Sequence, residues 1–192
     1  TIEKNGVPQK KVTDYLGNYY AVVIAPGDIA LVYGPNESRR LFVNQVLSQS
    51  NKPYLEAIVK YNKLIEHRNR HLKQEQIDDD LIAALDVQIA PLAQFIFSER
   101  KFFLEQFIPV FHEKYLALAD KEETVSLTYQ SQLENNSYTE LVQLHKRKDI
   151  AVQRSFSGIH KDELEISLNE LSLKKYGSQG QIKSALIALK LA

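Results

Sequence analysis

The spacing of apolar and polar residues changes twice along this chain, and each change marks a different part. Over residues 1–33 the apolar positions come in short runs. Tyr19 to Ala25 is an unbroken stretch of β-branched and aromatic residues closed by Pro26-Gly27, which predicts a strand buried on both faces, and Asn5-Gly6 predicts a turn. From residue 36 the period becomes helical. Asn36 or Ser38 is placed to cap a helix reaching about Leu47, and Pro53 stands at a first-turn position for a second helix. In that second helix Tyr54, Ile58, Tyr61 and Ile65 recur at spacings of three and four and share one stripe. A polar break from Gln74 to Asp80 precedes a third helical pattern carried by Leu81, Leu85, Ile89, Leu92, Ile96, Phe103, Phe107 and Phe111, which Pro91 and Pro109 should kink or interrupt. Two long helices joined by a short acidic turn predict an antiparallel pair, an arm projecting from the β-rich part. Phe95, Phe97, Phe102, Phe103, Phe107 and Phe111 are spaced as a helix spaces its core, so they read as packing rather than as a base-stacking surface.

Beyond Asp120 the period shortens to two. Val125, Leu127 and Tyr129 alternate with polar residues, as do Leu164, Ile166 and Leu168, then Leu171 and Leu173, with Asn169-Glu170 as a tight hairpin turn. Between the strands, Ser137-Tyr138-Thr139-Glu140 has the capping-box spacing that opens a helix to about Lys148. The fold class expected is therefore α+β: β elements over 1–34, a helical arm over 35–120, and strands with a closing helix over 121–192, the two β parts belonging to one interrupted sheet system.

Composition adds exclusions. The 192 residues are 44% hydrophobic and 25% charged, ordinary for a globular chain, with no signal-peptide pattern, and no apolar run is expected to reach the roughly 18 residues of a membrane span. The absence of cysteine excludes disulfides and thiolate metal sites, in keeping with a cytoplasmic location. Net charge is zero, so any nucleic-acid contact must come from local patches. One such patch runs from Glu37 to Lys73, where eight cations (Arg39, Arg40, Lys52, Lys60, Lys63, Arg68, Arg70, Lys73) face three acids, a local excess of five positive charges. A solvated helix face is the plainer reading of such a run. His67 and His71, spaced i, i+4 beside Glu66, lack a third ligand, and no metal site is assigned. The chain starts without Met and stops within the apolar pattern Leu186 to Ala192, which predicts a segment of a longer polypeptide.

The strongest local chemistry is Ser178-Gln179-Gly180-Gln181 followed by the apolar helix Ile182 to Leu191. A small Gly-bearing turn that opens a helix offers backbone N–H groups, a hydroxyl and the positive end of the helix dipole to an anion such as phosphate, although the same turn is commonly a plain cap. The stretch Tyr176 to Ala192 (YGSQGQIKSALIALKLA) resembles the RecF version of the ABC-ATPase signature, and Gly158-Ile159-His160-Lys161-Asp162-Glu163-Leu164 is similar to the G-P-H-R-D-D-L box of that family. Three further stretches agree in order and spacing: Ala25-Pro26-Gly27-Asp28-Ile29 with Leu31-Val32, Arg39 to Asn44 leading to Leu47-Ser48-Gln49, and Tyr61-Asn62-Lys63 with Arg68-Asn69 and Leu72-Lys73. Departures are specific: Ile182 where a second Gln is common, Ile159 for Pro, Lys161 for an Arg whose bidentate contacts a Lys cannot copy, and Asn44 for Asp.

The resemblance implies part of an ABC-ATPase head interrupted by a short arm, related to SMC and Rad50-type ATPases, which dimerises around ATP and Mg2+. By that analogy Ser178, Gln179, Gly180 and Gln181 contact, in trans, the γ-phosphate held by the other subunit. It further implies a recombination mediator that binds single-strand/double-strand junctions and works with RecR and RecO in loading recombinase. His160, Lys161 and Asp162 are left open between phosphate contact and structure. Arg39, Arg40, Lys60, Lys63, Arg68, Arg70 and Lys73, with Lys146, Arg147, Lys148 and Arg154, are DNA-phosphate candidates. No G-x-x-x-x-G-K-[S/T] occurs in the sequence and no apolar strand ending in Asp-Glu follows the signature helix, so this segment alone is expected neither to hydrolyse ATP nor to hold a cofactor. The competing readings are an SMC-like head fragment, against which the short arm argues, and a helical interaction module with no nucleotide role.

Overall fold

The computed structural model describes residues 3–4, 7–8, 22–119 and 123–192. At its start, β1 (Glu3–Lys4) and β2 (Val7–Pro8) pair antiparallel, Glu3 opposite Pro8. The turn expected at Asn5-Gly6 and the first residues of the Tyr19–Ala25 run lie outside the described residues. The remainder of that run corrects the expectation of a buried strand: residues 22–25 take no regular structure, and Val22 and Val23 are 56% and 67% exposed. The next residues are helical rather than β-rich, a 3-10 turn over Pro26–Ile29 leading into α1 (Ala30–Tyr33). Asp28 closes that turn by accepting from the Ala25 amide, a bond that holds its carboxyl below the usual range.

Helix α2 (Asn36–Ser50) outruns its expected end, and the cap assignment changes with it. Pro35 takes the cap position, and Asn36 instead turns its amide oxygen to the Arg39 guanidinium and to the backbone N–H of Leu164. Asn51 caps α3 (Lys52–His71) by accepting from the Tyr54 amide at 2.9 Å, with Pro53 in the first turn. The stripe expected along this helix is buried throughout, and it extends one step further than its apolar members, to Arg68.

Helix α4 (Asp79–Leu116) is one continuous element of 38 residues, about 57 Å at 1.5 Å per residue, through both Pro91 and Pro109. The expected interruptions do not occur, for a reason visible in the surroundings. Each proline leaves the carbonyl four residues earlier without its donor, and those residues, Val87 and Glu105, are exposed, so water can take the missing bond. The helix also carries a window of mean hydropathy 1.6, long enough to cross a bilayer by length and composition, which corrects the expectation that no stretch approaches one. Its apolar side chains serve the core here, with Ile89, Ala93, Ile96 and Phe111 fully buried, and with charged Arg100 on the same face. Of the six stripe phenylalanines, Phe97, Phe107 and Phe111 are buried, Phe95 and Phe103 are partly covered, and Phe102 is 61% exposed.

Tyr54 near the start of α3 meets Arg100 and Arg68 near its end meets Asp86, so α3 and α4 run antiparallel as expected. α5 (Tyr138–Val152), opened by the predicted capping box of Ser137 and Glu140, packs against the same helices rather than with the strands around it. Its Asp149 reaches Arg68 at 2.7 Å and its Tyr138 hydroxyl donates to Asp86, so the helical layer extends beyond residue 120. The C-terminal half of α4 continues under a three-stranded antiparallel sheet in the order β3 (Val125–Gln130), β4 (Glu163–Leu168), β5 (Leu171–Ser172). Alternation sends Val125, Leu127, Leu164, Ile166 and Leu168 inward. The hairpin at Asn169-Glu170 has both residues left-handed, φ 47° and 66°, the geometry a two-residue turn requires. Leu173 is buried in α6 (Leu173–Tyr176) rather than in a strand, and α7 (Gln179–Leu191) closes the core against α4.

Candidate nucleotide-contacting loop and basic cleft

Leu173 and Ile182 fix the ends of the loop between α6 and α7. Gly177 is required by this packing: a Cβ there would lie 2.6 Å from the Leu173 carbonyl oxygen and 2.7 Å from its side chain. Ser178 caps α7 with a full capping box, its Oγ accepting from the Gln181 amide at 3.2 Å while Gln181 Oε1 accepts from the Ser178 amide at 2.7 Å. The Gln181 side chain is also tied from behind, donating from Nε2 to Glu123 at 2.6 Å, and the other oxygen of Glu123 accepts from the Tyr115 hydroxyl at 2.6 Å near the end of α4. Ser178, Gln179 and Gly180 face solvent. Among the described residues Gly180 has no packing reason, because a Cβ would meet only Ser178 Oγ, at 3.9 Å. The cap uses Ser178 as an acceptor, so its hydroxyl hydrogen stays available for donation outward. An exposed thirteen-residue helix start with a held hydroxyl and a glycine that nothing inside demands is suited to an approaching anion.

The second constellation gathers around the loop 154–163. Gly158, at φ 125°, brings the backbone against Tyr61, where a Cβ would collide with the hydroxyl. His160 is fixed on both sides: Nδ1 lies 2.8 Å from the Tyr61 hydroxyl and Nε2 3.1 Å from the Ser155 carbonyl oxygen. Burial pushes its pKa down to about 4, so the ring is neutral at pH 7, donating from Nε2 and accepting at Nδ1. With both nitrogens engaged, His160 is a structural group. Asp162 is structural too: it accepts from Arg100 at 2.6 Å and from the Tyr129 hydroxyl at 2.6 Å in a site where desolvation raises its pKa and Arg100 opposes the rise. Arg100, 2% exposed, also donates to the Ile159 carbonyl, Asn44 and Tyr54.

Lys161 stands differently. It lines a cleft of about 450 Å³ between α2, α3 and this loop, together with Arg40 and Arg154. Burial lowers its pKa, and Arg154 and Arg40 lower it further. Arg40 spends one bond on the Asp162 carbonyl.

The remaining DNA candidates separate. Arg68 is corrected: at 2% exposure, bonded to Asp86, Asp149 and Ser155, it joins α3 to α4 and α5 and offers nothing to a phosphate. Arg39 turns its guanidinium onto Asn36 and the carbonyls of Leu31 and Leu164, tying α2 to α1 and β4. Lys60, Lys63, Arg70 and Lys73 lie on exposed surface, Arg70 paired with Glu66 at 3.2 Å. Lys146 pairs with Asp79, Lys148 sits over the Phe156 ring, and Arg147 is exposed. His67 and His71 lie with their rings tilted 53° to each other and their Nε2 atoms 3.2 Å apart, and among the described residues no group of three metal-ligating side chains forms. Arg100, which braces the 154–163 loop, and Glu123, which holds Gln181, are positions that the sequence pattern does not single out. Arg100 has a signal, lying in phase with Ile89, Ile96 and Phe107, whereas Glu123 falls in a linker with no pattern.

An antiparallel helical arm seated on a small sheet, with a capped helix presented beside it, defines an α+β segment. No family model matches the chain. It is 37% identical over 190 residues to the DNA replication and repair protein RecF of Parabacteroides distasonis, covering 99% of this chain and 52% of that protein. It is 39% identical over 195 residues to RecF of Flavobacterium johnsoniae, covering 100% and 54%. A solved structure described as the recombination mediator protein RecF-ATP in the RecFOR pathway superposes with a TM-score of 0.85 at 24% identity, over 97% of this chain and 53% of that one. The chain belongs to the RecF family, and it spans about half the length of the curated relatives it matches.

Proposed function

We propose that this chain supplies the signature half of a shared ATP site in a RecF-type recombination mediator. The observation that carries the reading is the loop from Ser178 to Gln181: capped, tied to Glu123 through Gln181, exposed at Ser178, Gln179 and Gly180, and holding at Gly180 a missing side chain that no contact among the described residues explains. In the dimer Ser178 donates its hydroxyl hydrogen to the terminal phosphate held by the other subunit, Gly180 allows the backbone to come close, and the α7 dipole adds positive potential. Bound ATP and Mg2+ supply the charge that draws the two heads together, and the P-loop that cradles them is the other subunit's contribution. The chain's own part is positional and electrostatic.

Dimerisation would set two arms side by side on DNA at single-strand/double-strand junctions, with RecR and RecO as partners, in the bacterial cytoplasm. The candidates that carry no carboxylate or ring partner among the described residues, Arg40, Lys60, Lys63, Lys73, Arg147 and Arg154, are the ones suited to that contact. The test is Ser178→Arg in the full-length protein: nucleotide binding should persist while ATP-dependent dimerisation, read by light scattering, is lost. Unchanged dimerisation would refute the reading.

A further inference from the structure

Arg40 comes from α2, and Arg154 and Lys161 from the two ends of the loop beyond α5, yet all three line one cleft of about 450 Å³. Among the described residues none of the three forms an ion pair, whereas Arg68 and Arg100 are fully paired with carboxylates. Glu37 and Glu163 line the same cleft without pairing with them. Like charges brought together at a half-covered site are unfavourable unless something else demands them, and the chain takes trouble to hold them there. Asn69 accepts from the Ser155 amide at 2.6 Å, Asp149 from the Phe156 amide at 2.8 Å and Gln132 from the Gly158 amide at 3.1 Å, while Arg100 fixes the Ile159 carbonyl. Gly158 and the doubly bonded His160 complete the brace. The loop's polar backbone is therefore satisfied inwardly, and its two cations are what it turns to the cleft.

We propose that this cleft is a backbone-phosphate site for nucleic acid, in which Arg40, Arg154 and Lys161 take one or two consecutive phosphates of a strand passing between arm and sheet. Asn62, also lining it, adds an uncharged donor. Such a contact positions the strand without reading its bases. The inference rests on the DNA-binding reading above and locates it away from the exposed α3 lysines.

The test is fluorescence anisotropy of the full-length protein with a labelled junction of duplex and single strand, titrated across salt. The variants are Arg154→Gln, Arg154→Gln with Lys161→Gln, and Lys114→Gln, which removes an equal charge fourteen residues along α4 from Arg100, about 21 Å away. Arg154 is exposed, so the single variant tests the site even where the double one fails to fold. Each lost phosphate contact should flatten the slope of log affinity against log salt by about one, with roughly tenfold weaker binding for the double variant. Lys114→Gln should match the wild type. Wild-type affinity and slope in the Arg154 and Lys161 variants, with DNA still bound, would overturn the cleft and leave the DNA reading standing. No DNA binding by the wild type would overturn both. Loss of inorganic triphosphate binding with DNA affinity intact would give the cleft to a nucleotide and also overturn it.

Discussion

Replacing Arg100 with Met tests how arm and sheet are held together. Met keeps most of the buried stem and removes the guanidinium, which bonds to Asp162 at 2.6 Å, to the Ile159 carbonyl at 2.8 Å and to Asn44 at 2.9 Å. Asp162 is then left as a buried carboxylate with Tyr129 as its remaining donor among these partners. Breaking a buried ion pair from one side costs about 3 to 5 kcal/mol, which in a chain of this size lowers Tm by roughly 10 °C. Because desolvation already raises the Asp162 pKa, protonation offers a partial escape, so the loss should shrink as pH falls from 7.5 towards 5. The assay is urea unfolding by far-UV circular dichroism, run also on Asp162→Asn and on the double variant. The two single losses should exceed the double loss, when added, by at least about 1.5 kcal/mol. A single-variant loss under about 1 kcal/mol, or simple additivity, would refute the view that this pair links the layers.

The same geometry fixes three further outcomes. Gly158→Ala, which forces a side chain to φ 125° against the Tyr61 hydroxyl, should cost at least about 2 kcal/mol in the same unfolding assay. Gly177→Ala should destabilise the fold, whereas Gly180→Ala should leave the melting temperature unchanged or slightly raised and weaken ATP-dependent dimerisation in the full-length protein. His160, neutral when folded with a pKa of about 4 against about 6.5 unfolded, gives stability that is complete above pH 6.5 and drains away as pH falls towards 4, by on the order of 3 kcal/mol. His160→Asn should flatten that acid limb in a series of melts between pH 4 and 7.

Residues that repeat with a clear period are legible in the sequence, and those that owe their place to a single distant partner are not. The α3 stripe, the Ser137 capping box, the Ser178 cap and the Asn169-Glu170 turn rest on neighbours within a few residues, so short-range pattern fixes them. Arg68 sits at the next step of the α3 stripe, and Asp149 is 81 residues away; no local signal joins them, so its charge reads as surface. The same holds for Arg39, whose guanidinium reaches the Leu164 carbonyl 125 residues on. The Val22 to Ile24 run shows the opposite failure, since apolar, β-branched composition predicts burial while these residues are exposed. Of the candidate sites, the Ser178 to Gln181 loop stands out in the sequence because it is contiguous, whereas the Glu123 that ties it does not. The cleft of Arg40, Arg154 and Lys161 shows in the sequence only as scattered cations, since three separate stretches of chain build it.

The trans role of the signature loop is tested most directly by subunit complementation. One full-length subunit carries Ser178→Arg, and the other carries an intact loop with its P-loop lysine replaced. Each alone should lack ATP-dependent dimerisation and hydrolysis. Mixed, they form a heterodimer in which the sound P-loop of the first faces the sound signature of the second, one working site of two, so hydrolysis should return to roughly half of the wild-type rate. Continued inactivity of the mixture, with both subunits folded, would contradict the account.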